Sequence, residues 1–74
     1  MMNFAKRLRL GMSKRGISQT ELADWTGLQP SAINHFTKGR RKPNFDNLAK
    51  ICIHASISAD YLLGVIDNDD LLQL

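Results

Sequence analysis

The chain has 74 residues, room for one domain with a modest core, and a mild net charge of +3. A single cysteine, Cys52, excludes an internal disulfide, and no Cys/His spacing matches a structural zinc site, so neither metal nor cofactor is expected. No apolar run approaches the roughly 20 residues of a membrane span, and the N-terminus lacks a secretory apolar stretch, so a soluble protein of the reducing cytoplasm is expected.

The charge is unevenly spread. Residues 1–43 carry nine Lys/Arg against Glu21 and Asp24, whereas residues 44–74 carry Lys50 against five aspartates. One basic lobe facing one acidic lobe suits a protein that lays one side on a polyanion.

In chain order the apolar spacing is helical. Phe4, Leu8 and Met12, with Ala5 beside them, predict a first helix that ends near Gly16. Gly11 weakens it by about 1 kcal/mol relative to alanine, which a close contact at that point would explain. Ser18-x-x-Glu21 is a capping box that opens a second helix, with Leu22, Ala23 and Thr26 inward and Gly27 at its end. Gln29 stands at the cap of a third helix. Pro30 fills its first turn, where no amide hydrogen is needed, Ile33 and Phe36 point inward, and Gly39 stops it.

A basic loop, Arg40-Arg41-Lys42-Pro43, follows. Asn44 caps a fourth helix whose expected apolar stripe is Phe45, Leu48, Ala49 and Cys52, with Ile51 alongside. Ser58 caps a fifth helix, Ala59 to Leu63, with Tyr61 and Leu62 inward and Gly64 closing it. Trp25 falls off the inner stripe and is expected to be half-buried packing; His54 reads as a helix-end residue. The reading is all-α, with residues 1–66 as one domain and 67–74 as a short acidic and apolar tail.

The stretch Gln19 to Gly39 is the informative one. Two short helices joined by Gly27-Leu28-Gln29, with small Ala23 at the crossing and Ile33 locking the second helix, leave that second helix standing proud of the body. It is sized for the major groove, about 12 Å wide. The run from Ile17 to Gly64, with ISQTELA, the turn glycine, the inward Ile33, the KG that ends helix three and the closing SADYLLG, resembles the lambda repressor/Cro-type helix-turn-helix family, and FAKRLRLGMSKRG resembles that family's first helix.

The resemblance implies a compact five-helix, lambda repressor-like fold and a sequence-specific transcriptional regulator of double-stranded DNA, a repressor of phage or prophage type. It implies that Gln19 touches a phosphate and supports the recognition helix, and that Gln29, Pro30, Ser31, Asn34 and His35 face the groove. Lys38, Arg40 and Arg41 would reach phosphate or the groove edge, and the amide end of helix four near Asn44 would accept a phosphate. Family members often carry glutamine where this chain has Pro30. Proline cannot make that bidentate contact to adenine but offers apolar contact to a thymine methyl. The resemblance also implies a homodimer on a palindrome, with Val65, Ile66, Leu71, Leu72 and Leu74 as pairing candidates. A protein-interaction module on the same fold, such as an antitoxin, is the alternative; an enzyme is not expected, since no nucleophile pattern, phosphate loop or metal-ligand set occurs.

Overall fold

In the computed structural model, which describes residues 4–66, five helices follow one another: α1 Phe4–Arg15, α2 Gln19–Thr26, α3 Pro30–Lys38, α4 Phe45–Ala55 and α5 Ala59–Leu63. Their ends are chemical. Ser18 Oγ accepts the Glu21 amide while Glu21 Oε1 accepts the Ser18 amide, the reciprocal pair that the sequence predicts. Asn44 and Ser58 accept the amides of Asn47 and Tyr61 in the same way. Gln29 caps α3 without a side-chain bond.

Helix α1 packs on α3 and α5, α2 packs on α3 and α4, and α4 on α5. Leu8, Met12, Leu22, Ala23, Ile33, Phe36, Leu48, Ile51, Cys52, Ala55, Ile57, Tyr61 and Leu62 form the shared core. Phe4 is half-buried against it. Gly11 has the close neighbour its sequence position calls for: a Cβ there would lie 2.8 Å from Ile57 Cδ1, on the segment that leads into α5. No helix among the described residues is long and apolar enough to cross a membrane.

Two expectations are corrected. Phe45 is 89% exposed and Ala49 is exposed, whereas the buried stripe of α4 is Leu48, Ile51, Cys52 and Ala55. At about 100° per residue, Phe45 and Ala49 stand roughly 70° and 110° from the centre of that stripe, beyond the reach of the neighbouring helices. The second correction concerns Arg7, counted in the basic lobe but 1% exposed. Its Nη1 donates to the carbonyls of Tyr61 (3.0 Å) and Ile66 (2.9 Å), and its guanidinium lies 4.9 Å from the centre of the Tyr61 ring. Arginine suits this place because its planar head meets two carbonyls and an aromatic face at once.

Candidate nucleic-acid interface

The geometry of the interface begins with the turn between α2 and α3. Gly27 adopts φ 75°, ψ 9°, a left-handed conformation that costs glycine little, and its amide bonds Ala23 O. Thr26, buried behind it, donates its hydroxyl to Leu22 O at 2.7 Å and accepts the Leu28 amide at 3.3 Å. The turn is thus fixed by its own hydrogen bonds, and α3 leaves it at a set angle.

Along α3, Ile33, Phe36 and Thr37 are buried, and Ser31 and Lys38 stand exposed on the opposite side. Gln29 and Pro30 are exposed at its start. Asn34 and His35 are half-buried, and His35 Nδ1 is enclosed with no partner among the described residues. The helix closes on Gly39 (φ 76°), and the His35 carbonyl then accepts the amide of Arg40 at 3.0 Å. Arg40, Arg41 and Lys42 are exposed, and no carboxylate lies anywhere from Gly27 to Asn44.

Gln19 sits at the start of α2, half-buried, and both ends of its amide are engaged. Its Nε2 donates to Thr37 Oγ1 at 3.1 Å, and its Oε1 accepts from Asn34 Nδ2 at 3.3 Å. Thr37 passes its own hydroxyl hydrogen to Asn34 O, and its backbone carbonyl accepts from Arg9 Nη1. This network ties the far half of α3 to both α1 and α2. Sequence reasoning expected Gln19 to touch a phosphate and support α3; the structure gives it these two bonds to α3. Sequence reasoning missed Arg9 and Thr37, whose roles depend on distances between helices that periodicity does not carry. Beside the network a shallow depression of about 300 Å³ opens between Arg9, Met12, Ser13, Ile17, Ser18, Gln19 and Thr37.

At α4, Asn44 Oδ1 takes the Asn47 amide at 2.8 Å, while Asp46 places a carboxylate in the first turn. That carboxylate competes with any phosphate for the positive helix end. Of the pairing candidates, Val65 is exposed and Ile66 is half-buried against the core; Leu71, Leu72 and Leu74 lie outside the described residues. Leu63, also exposed, adjoins Val65. Trp25 is 44% exposed on α2 and is not packed against the core, which corrects the half-buried position expected of it.

Two short helices set by a glycine turn, the second presenting a polar, acid-free face, define a helix-turn-helix DNA-binding domain. The chain belongs to the helix-turn-helix family, in its lambda repressor/Cro-type form, and the family profile matches residues 5–62. It is 27% identical over 73 residues to the SPbeta prophage-derived HTH-type transcriptional regulator YonR of Bacillus subtilis (strain 168), spanning 93% of this chain and 68% of that protein. Its fold is similar to the P22 c2 repressor in complex with a synthetic operator, at a TM-score of 0.78 and 28% identity, covering 85% of this chain and 96% of the other. It is also similar to the restriction-modification controller protein C.AhdI of Aeromonas hydrophila, at a TM-score of 0.75 and 30% identity, covering 81% and 91%.

Proposed function

We propose that this chain is a sequence-specific, double-stranded DNA-binding transcriptional regulator of phage or prophage type, acting as a repressor, with α3 as the helix that enters the major groove. The observation that carries this reading is the two-sided build of α3: Ile33, Phe36 and Thr37 anchor it while Ser31 and Lys38 face outward beside Arg40 and Arg41. The family relationship to repressors, one of them solved on its operator, supports it.

In this reading Ser31, Asn34 and His35 meet base edges and specify, while Lys38, Arg40 and Arg41 meet phosphates and position. Pro30 offers apolar contact to a thymine methyl, and Gln29 reaches the duplex from the helix start. Gln19 acts first by holding Asn34 and Thr37; its second Nε2 hydrogen is what remains for a phosphate. The open amides at the start of α4, next to Asn44, take another phosphate in competition with the Asp46 carboxylate.

A single α3 reads only a few base pairs, too few to select one site in a genome. Two copies on a palindrome, with half-site centres about 34 Å apart, supply the remainder. Residues 1–66 form the DNA-binding unit, the exposed Leu63 and Val65 lie on the pairing side, and the protein works in the cytoplasm by binding rather than by catalysis.

Selection from random duplex DNA followed by a salt titration tests this. The expected result is one enriched palindromic motif whose log affinity falls linearly with log salt, with a slope of about −0.9 for each phosphate neutralised. No enrichment, or affinity flat in salt, would remove the reading.

A further inference from the structure

We infer that His35 takes part in recognition as a hydrogen-bond donor through Nε2–H, and so reads an acceptor edge in the major groove: a purine N7, guanine O6 or thymine O4. The inference rests on the reading of α3 as the groove helix and adds to it the chemical class of group that this position accepts.

The two ring nitrogens of His35 stand in different surroundings. Nδ1 is enclosed, with no partner among the described residues. Nε2 has no hydrogen-bond partner among the described residues and is not enclosed, so the half-buried side chain meets solvent on that edge. A neutral imidazole carries one hydrogen, and the neighbour of each nitrogen decides where it sits. A hydrogen on Nδ1 would be an orphaned buried N–H, among the rarest features of folded proteins, because a donor stripped of water and left without an acceptor forfeits its full hydration. A bare lone pair at Nδ1 avoids that orphan donor. The hydrogen therefore resides on Nε2 and points out of the protein.

The consequence is directional. In the major groove guanine offers N7 and O6, adenine offers N7 and thymine offers O4 as acceptors, whereas cytosine N4 and adenine N6 only donate. A ring locked as an outward donor matches the first set and is mute toward the second. Its neighbours are not restricted in this way: the Ser31 hydroxyl and the Asn34 amide each donate and accept. The tautomer is set by burial before DNA arrives, and the root of the side chain is fixed by the helix-end bond from the Arg40 amide to the His35 carbonyl. His35 is the one-way reader of the recognition face.

Two measurements on the full chain test this. The first is long-range ¹H–¹⁵N correlation of the imidazole rings in the free protein at about pH 8, above the ordinary histidine range, with exposed His54 as internal reference. The Nε2–H pattern is expected for His35; the Nδ1–H pattern overturns the inference without touching the reading of α3. The second uses the selected duplex. Each purine is replaced in turn by its 7-deaza analogue, each guanine by an analogue without O6 and each thymine by one without O4, and binding is compared between wild type and His35→Ala. At one position per half-site the analogue should weaken the wild type by about three- to tenfold and leave His35→Ala unaffected. Sequence-specific binding in which no analogue separates the two proteins overturns the acceptor contact alone. Failure to bind any duplex overturns both the contact and the reading beneath it, while the tautomer in the free protein still reports separately.

Discussion

Replacing Arg7 with methionine probes the strongest polar tie between α1 and the segment after α5. The guanidinium donates to Tyr61 O and Ile66 O and covers the Tyr61 ring. Hydrogen bonds from a charged donor contribute about 1.5–3 kcal/mol each, and the ring contact about 1 kcal/mol. Three facts reduce the sum. Tyr61 O also accepts the Gly64 amide, so it is not orphaned by the substitution. Ile66 is half-buried, so water reaches its vicinity. The desolvation cost of the buried cation also disappears when methionine takes its place. The expected loss is about 2–4 kcal/mol, against a total of about 4–11 kcal/mol for a domain of this size. That corresponds to a fall in Tm of roughly 10–30 °C. Urea unfolding followed by circular dichroism measures it, with an unchanged m-value as the check on two-state behaviour. Below the new transition, DNA affinity should equal that of wild type, since Arg7 faces the core. A variant as stable as wild type, or one that folds normally but loses DNA affinity, would refute this account.

Tyr61→Phe removes a buried hydroxyl that has no partner among the described residues and keeps the ring beneath Arg7, so calorimetry should find stability unchanged or raised by about 1 kcal/mol. Ser56 caps α4 at φ 55°, and Ser56→Gly should gain about 1 kcal/mol in urea unfolding by relieving a left-handed L-residue. Gln19→Ala should weaken every duplex about fivefold by quantitative electrophoretic titration while the selected motif stays the same, because Gln19 holds α3 rather than reading bases. Burial raises the Cys52 thiol above its ordinary value. The folded state thus holds that proton more tightly; its contribution is full below the unfolded thiol pKa and is lost as pH rises through the folded value. Alkaline unfolding of wild type against Cys52→Ala should show a steeper loss for wild type above about pH 9.

Helix ends were the most legible feature of the sequence because each is a local event. Ser18 with Glu21, Gly27, Gly39, Asn44 and Ser58 act on amides and carbonyls within a turn of themselves, so a linear string contains both partners. Faces were legible where a stripe is centred, as for Leu8 and Met12, and failed at its margins. Phe45 is apolar and correctly spaced, yet it lies where no neighbouring helix extends to cover it. Arg7 failed for the opposite reason: its charge marks surface, while its burial depends on carbonyls 54 and 59 residues away. The candidate interface divides likewise. The exposed Ser31, Lys38, Arg40 and Arg41 follow from periodicity, but the Gln19–Asn34–Thr37 bonds and the enclosed nitrogen of His35 exist only once two helices are side by side.

Most of the nine residues of α3 serve one of two masters, and Asn34, bonded to Gln19, serves both. Ile33, Phe36 and Thr37 answer to the body of the protein, while the exposed side chains of Ser31 and Lys38 make no hydrogen bond among the described residues. A change at an outward position leaves the scaffold's stability nearly untouched, since exposed substitutions away from caps and cores stay within about 0.5 kcal/mol. A lineage can therefore acquire a new operator preference one substitution at a time, without passing through an unstable intermediate. Two diverging copies in one cell could part ways in target while remaining the same fold, a freedom consistent with architectures that superpose at 28–30% identity.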